Sequence, residues 1–248
     1  MFQSRPLVIE KSAVDPCATC GARPYSVCSA IDQKDLARLA ALARSFTVAA
    51  GRSFIAEGDP AEHFFNVTIG TAKLYKLLPD GRRQITGFAG IGHFLGLAVS
   101  SNYAFSAEAI EPMRICRFSR PRLRAMLEDF PALERRLLEV AANELVAAQE
   151  QMLLLGRKTA RERLASFLIA RAHGQSLQPS SCAHAARASV VWLPMTRTDI
   201  ADYLGLTIET VSRTFTRLRG ERLIATPTPS EVVIRDHDGL ERLAGGLD

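Results

Sequence analysis

The stretch LPMTRTDIADYLGLTIETVSRTFTRLRGERLI, residues 193–224, decides the fold of the C-terminal part of the chain. Thr196 precedes Asp199 by three residues, a short relative of the capping box that opens a helix. Ile200, Ala201 and Leu204 give this helix an inner face, Gly205 supplies a tight turn, and Thr207 is placed to cap a second helix. In the second helix Ile208, Val211, Phe215 and Leu218 recur at helical spacing, with Glu209, Ser212, Arg213 and Thr216 on the opposite face. Two helices on a glycine turn, the second with a polar outer row, predict a helix-turn-helix that reads duplex DNA in the major groove. Arg213 offers a two-pronged donor to a guanine edge, Glu209 an acceptor for cytosine N4, and Ser212 a shorter contact. Thr196, Thr207, Thr216, Arg217 and Arg219 are candidates for the DNA backbone. Beyond Arg222, LIATPTPSEVVIRD reads as two short strands around a Pro-rich turn, a wing. The expected DNA-binding domain is 158–248.

Upstream, a helix is predicted from Pro131 to Leu155. Leu138, Ala141, Leu145, Ala148, Met152 and Leu155 recur at alternating steps of three and four, the seam of a coiled coil. At 1.5 Å per residue the helix spans roughly 37 Å, long for one buried within a small monomer. Region 126–157 is therefore read as a dimerisation helix, against the alternative of a helix packed on its own β domain. Small Ala141 and Ala148 permit close approach and add little burial.

Residues 31–125 have the texture of an antiparallel β domain. RSFIAE, HFFNVTI, TAKLYKLL, RQITGF and MRICRF are separated by Gly51, Gly58-Asp59-Pro60, Gly70 and Asp80-Gly81. Asp-Gly between alternating runs is a strong hairpin signal, and strand spacings of about ten residues favour a barrel, roll or sandwich. Gln84–Ala107 holds no acidic or basic residue other than His93, but its four glycines argue for buried strands and turns rather than a membrane span.

The chain has 248 residues, 47% of them hydrophobic, enough for folded cores and too many for a disordered chain. Its net charge of +5 permits an anionic partner without establishing one. The opening MFQSRPLVIEKSAVD lacks the apolar run of a secretory signal, so a cytoplasmic protein with no membrane partner is expected. No Ser-His-Asp, H-E-x-x-H or G-x-x-x-x-G-K pattern suggests an enzyme.

Of five cysteines, Cys17, Cys20 and Cys28 cluster in segment 1–30, Cys116 lies in the last β run, and Cys182 lies in a loop near His184. Three clustered thiolates and one distant one can supply four soft ligands to zinc or to an iron–sulfur cluster, and residue chemistry leaves both open.

The pieces EGDPAEHFFNVTIGTAKLYKLLPDGRRQITGF (57–88), QEQMLLLGRKTARERLASFL (149–168) and TRTDIADYLGLTIETVSR (196–213) occur in the order found in CRP/FNR transcription regulators, and the chain resembles the FNR-type oxygen sensors among them. The resemblance implies an α+β fold: a cyclic-nucleotide-binding-like β-roll, a long dimerisation helix and a C-terminal winged helix-turn-helix. It implies that Glu209, Ser212 and Arg213 read a palindrome resembling TTGAT-N4-ATCAA in double-stranded DNA. By the same resemblance, a homodimer contacts RNA polymerase, with the tip at Asp80-Gly81-Arg82 as the first surface to test. The implied function is to activate genes for anaerobic or microaerobic life. Cys17, Cys20 and Cys28 match the family's C-x2-C-x7-C form and Cys116 its internal ligand, which implies one oxygen-labile [4Fe-4S] cluster per subunit. A nitric-oxide or redox sensor and a zinc-stapled constitutive regulator are the alternatives. Cyclic-nucleotide-binding relatives grip the phosphate with an Arg-Ser pair. The matching stretch 92–110 has no arginine, so no cyclic nucleotide is expected. Some oxygen-sensing relatives place an acidic residue on the seam where this chain has Ala148, which is expected to favour the cluster-free dimer.

Overall fold

Strand MRICRFS, residues 113–119, is buried on both faces, and the N-terminal unit is assembled around it. Met113 and Ile115 point into one apolar core, while Cys116 and Phe118 point into another. The computed structural model describes residues 8–9, 17, 19–97, 100–176 and 190–247, so Cys182 and His184 lie outside the described residues. The chain divides into two compact units, Met1–Val146 and Ala147–Asp248.

In the first unit the strands are β1 (Val8–Ile9), β2 (Ala43–Val48), β3 (Ser53–Ile55), β4 (His63–Ile69), β5 (Ala72–Leu77), β6 (Arg83–Ala89), β7 (Phe94–Leu95), β8 (Ser106–Ala109) and β9 (Met113–Ser119). They form two antiparallel sheets, ordered β1-β2-β9-β4-β7 and β3-β8-β5-β6. Between the sheets lies the core of Phe46, Phe65, Val67, Ala107, Met113 and Ile115. The other face of the first sheet is covered by the N-terminal segment and three helices, α1 (Leu36–Leu42), α2 (Arg120–Asp129) and the start of α3 (Pro131–Arg157). There Cys17, Val27, Cys28, Leu36, Leu123 and Leu133 meet Phe64, Cys116 and Phe118 in a second core. Of the described N-terminal residues, Cys17, Val27, Cys28 and Ile31 belong to this core.

The Asp80-Gly81 hairpin forms as expected between β5 and β6, with Leu78 N donating to Arg82 O at 2.8 Å. Asp80 accepts from Arg82 N and Nε at 3.0 and 2.7 Å, which draws its carboxyl below the usual range.

The helix α3 runs two residues beyond the predicted end. Its Leu133 and Leu137 are buried, but residues 141–150 are all exposed.

The second unit contains α4 (Ala160–Ser176), β10 (Val190–Trp192), α5 (Arg197–Leu204), α6 (Ile208–Gly220), β11 (Ile224–Thr228), β12 (Glu231–Ile234) and α7 (His237–Ala244). The predicted wing is β11 and β12, and β10 adds a third strand in the order β10-β12-β11. Among the described residues no helix is long and apolar enough to cross a membrane.

Gly70, in the turn from β4 to β5, has a φ of +84°, and a Cβ there would sit 2.6 Å from Met113 Cβ and 2.9 Å from Pro112 O. The Gly70→Ala variant is therefore expected to lose about 2–4 kcal/mol through backbone strain and overpacking, read from denaturant unfolding of the full chain.

Candidate nucleic-acid interface and the cysteine chamber

The capping expected from the sequence is present. Thr196 Oγ1 accepts from Asp199 N at 3.1 Å and donates to Asp199 Oδ2 at 2.7 Å, while Thr196 N donates back to Asp199 Oδ2 at 3.1 Å. Gly205 ends α5 in the left-handed region at a φ of 62°. A Cβ there would lie 3.2 Å from Leu155 Cδ2, so glycine suits both the turn and the close approach. Thr207 caps α6 by accepting from Thr210 N at 3.2 Å.

On α6, Val211, Thr214, Phe215 and Leu218 are buried. Ile208, expected to face inward, is 41% exposed: it is the first residue of the helix, where no preceding turn covers it. The residues Glu209, Ser212, Arg213, Thr216, Arg217 and Arg219 are all exposed on α6, and Thr196 and Thr207 are exposed at the caps. Their polar groups are partly engaged already. Thr216 Oγ1 donates to Ser212 O at 3.1 Å and accepts from Arg219 Nη2 at 3.1 Å. Arg217 Nε donates to Glu221 Oε1 at 3.0 Å, and Arg161 Nη2 reaches Glu221 Oε2 at 2.7 Å. Its own backbone amide, then the Thr207 hydroxyl and the charge of Arg213, hold the Glu209 carboxyl below its ordinary range, so it is an acceptor at neutral pH.

Two arginines that the sequence reading did not single out support this face. Arg197 lies with its guanidinium 3.4 Å from the centre of the Phe215 ring, and burial lowers its pKa. The other, Arg163, donates from Nε to Lys158 O, from Nη2 to Leu155 O and from Nη1 to Leu204 O, each at 2.8 Å. It thereby satisfies carbonyls at the ends of α3 and α5 that helix geometry leaves without donors. No local pattern announces this, because the acceptors are backbone atoms up to 41 residues away. Of the predicted seam, Leu138, Ala141, Leu145, Ala148 and Met152 are exposed, while Leu155 is half-buried beside Gly205. The same stripe also carries Val146 and Leu153, 55% and 57% exposed. They are one residue beyond Leu145 and Met152, a repeat visible in the sequence.

Cys17, Cys28 and Cys116 are buried in one chamber beside β9, and Cys20 is partly exposed at its edge. A turn joins Cys17 and Cys20, with Cys20 N donating to Cys17 O at 3.4 Å, and Cys28 N donates to Ser26 Oγ at 3.2 Å. Cys116 stands opposite Asn66 of β4, which is buried with no hydrogen-bond partner for Oδ1. Burial first, and then the neighbouring thiols of Cys17, Cys20 and Cys28, push the Cys116 pKa up to about 12; burial also raises that of Cys28.

Among the described residues, however, no three of these sulfurs lie within 4.8 Å of one another, and the grouping that does meet that spacing is His173, His237 and Glu241. The expectation of one [4Fe-4S] cluster per subunit on Cys17, Cys20, Cys28 and Cys116 is corrected accordingly. The four thiols share a chamber, but they do not form a clustered ligand set. Cys116 is fixed in a central strand, and the backbones of the other three are tied by the hydrogen bonds of their own turns. The expectation about cyclic nucleotides also meets a new neighbour. Arg120, from the start of α2, donates to Gly96 O and Ser100 O, so an arginine from outside 92–110 does reach that stretch and is engaged by its carbonyls.

Removing the Arg163 clamp should be costly. The Arg163→Met variant leaves three carbonyls without their charged donor and is expected to lose about 3 kcal/mol or more, seen as a lower denaturation midpoint with the wild-type far-UV spectrum retained at low temperature.

Residues 46–130 match the cyclic nucleotide-binding domain and residues 162–243 match the Crp-like helix-turn-helix domain. The chain is 44% identical over 210 residues to the nitrogen fixation regulation protein FixK of Bradyrhizobium diazoefficiens, covering 84% of this chain and 86% of that one. It is 37% identical over 232 residues to the transcriptional activator protein FnrL of Cereibacter sphaeroides, covering 92% of each. The solved structure of FixK2 from Bradyrhizobium japonicum superposes with a TM-score of 0.74 at 36% identity, covering 81% of this chain and 96% of that one. With two domain matches in order and relatives similar over most of its length, the chain belongs to the CRP/FNR family of DNA-binding transcription regulators, which are not enzymes, and is closely related to its FixK/FnrL/Anr branch.

Proposed function

We propose that this chain is a homodimeric transcription activator that binds a TTGAT-N4-ATCAA-like palindrome and acts in anaerobic or microaerobic metabolism. The observation that carries this reading is the exposed row of Glu209, Ser212 and Arg213 on a helix whose opposite face buries Val211, Thr214, Phe215 and Leu218. Such a row is rigidly presented, and its groups match base edges: a fork for guanine, an ionised acceptor for cytosine N4 and a hydroxyl. Thr196, Thr207, Thr216, Arg217 and Arg219 surround it as phosphate contacts. The relatives named for activation and for nitrogen fixation control supply the biological setting.

Dimerisation is assigned to α3. Leu138, Leu145 and Met152 are 67%, 61% and 65% exposed, an apolar stripe that one chain leaves open to water. A second copy of the same stripe covers it, and Ala148 places no charge on the seam. The dimer is therefore assigned to the protein without any bound cluster. RNA polymerase is the further partner, met first at the exposed tip Asp80-Gly81-Arg82.

A redox input is the second reading, favoured by the cysteine chamber. A backbone hydrogen bond links Cys20 N to Cys17 O at 3.4 Å, and Cys20 is partly exposed. Hydrogen peroxide takes two electrons from this pair: two S–H bonds and the O–O bond break, one S–S bond forms, and the two protons leave in two molecules of water. Cys17 shares its core with Leu133 and Leu137, the buried start of α3, so oxidation of the pair acts on that packing.

The DNA reading is tested by fluorescence anisotropy with full-length protein held reduced in a metal chelator. Binding to the palindrome should exceed binding to a scrambled duplex, and Arg213→Ala should lose about 1–3 kcal/mol of that discrimination. Equal affinity for both duplexes, or an absolute need for added iron, contradicts it. For the redox reading, alkylation followed by peptide mass spectrometry should label Cys20 before Cys28 and Cys116. Peroxide treatment should weaken palindrome binding reversibly in dithiothreitol and leave a Cys20→Ser variant unaffected.

A further inference from the structure

We infer that His173, His237 and Glu241 form a surface site for a divalent transition metal ion of the zinc, nickel and copper class, which clamps α7 to α4. His237 and Glu241 stand four residues apart on α7 and therefore share one face, with His237 Nδ1 3.6 Å from Glu241 Oε1. His173, in the last turns of α4, brings its ring to 6.3 Å from that of His237, with 36° between the planes. One ligand atom of each residue lies within 4.8 Å of the others, which is the spacing that ligands of a single ion require.

Two imidazoles and one carboxylate suit borderline metals and disfavour magnesium or calcium, which prefer an all-oxygen shell. Three protein ligands leave at least one position open to water. All three residues are exposed, so the ion needs no opening of the fold to enter.

The position gives such an ion a structural consequence. Lys158, just before α4, donates to Ala244 O at 2.8 Å and to Ser166 Oγ at 2.8 Å, fastening the C-terminal end of α7 to the beginning of α4. The metal ties the opposite end of α7 to the last turns of α4. With both ends held, α7 braces the helix that carries Arg163, and hence the carbonyls at the end of α5. The three ligands lie on α4 and α7, not on the α6 row presented to DNA, and the ion acts on the stability of the C-terminal unit.

The test uses the full chain, kept reduced, and nickel or zinc alone as the probe. There are five histidines, and their imidazole resonances report on each site separately. Substoichiometric paramagnetic Ni2+ should broaden two of them first, assigned to His173 and His237 by His173→Gln and His237→Gln variants, before His63, His93 and His184. Zn2+ should raise the thermal midpoint of the wild type by several degrees. The His173→Gln/His237→Gln double variant, with an unchanged midpoint in chelator, should lose most of that rise. A rise fully retained in the double variant would place the ion elsewhere, on the thiols for example, and overturn the proposal. Uniform broadening of all five imidazoles, or none at His173 and His237, would overturn it as well.

Discussion

Three backbone carbonyls, two at helix ends and one in the link from α3 to α4, accept from the Arg163 guanidinium, and the C-terminal unit is held together at this point. One guanidinium holds Leu155 O at the end of α3, Lys158 O just beyond it, and Leu204 O at the end of α5. A planar fork with five donors can serve three acceptors from one position, whereas a lysine at the same place would act as a point charge on a flexible stem. The helix that carries the apolar stripe and the helix that begins the DNA-reading motif are thereby fixed to one side chain of α4. Gly205 permits this closeness, since a Cβ there would also lie 3.4 Å from Arg163 Nη1.

The reading motif was legible because its signals are local. Caps, glycine turn and helical spacing all fall within about thirty residues of sequence, and each constrains the same backbone. The β5–β6 hairpin was legible for the same reason. The features that escaped depend on partners distant in sequence. Arg163 meets backbone atoms of α3 and α5, Arg197 lies against Phe215, and Arg120 is drawn to Gly96 and Ser100. Helices α1, α2 and α7 are short, so periodicity gives them little weight. Ile208 shows the opposite failure: the spacing is helical, but a residue at the start of a helix can share the inner face and still lack a neighbour to bury it.

The cysteines show what a sequence match carries and what it leaves to packing. Cys17, Cys20, Cys28 and Cys116 do converge on one face of the first sheet, because alternation along β9 turns Cys116 away from the sandwich and toward the N-terminal segment. Convergence on a chamber is a weaker condition than ligand spacing, however. Hydrogen bonds at Cys20 and Cys28 tie their backbones into local turns, and ladder pairing fixes the backbone of Cys116 in β9. The chamber also buries Leu133 and Leu137 of α3, so events at the thiols and the seam helix share one core.

In the proposed dimer two copies meet along the open apolar stripe of α3. Hydrophobic burial drives that contact, so its strength scales with the side chains removed from water rather than with charge or metal. Sedimentation equilibrium of the full chain at micromolar concentration, reduced and with a chelator, measures it directly. The expected mass is twice the 27.1 kDa of the single chain, falling to the single-chain mass in a Leu145→Asp variant that keeps its fold. A wild-type chain sedimenting only at the single-chain mass, or a Leu145→Asp variant that remains a dimer, would contradict it.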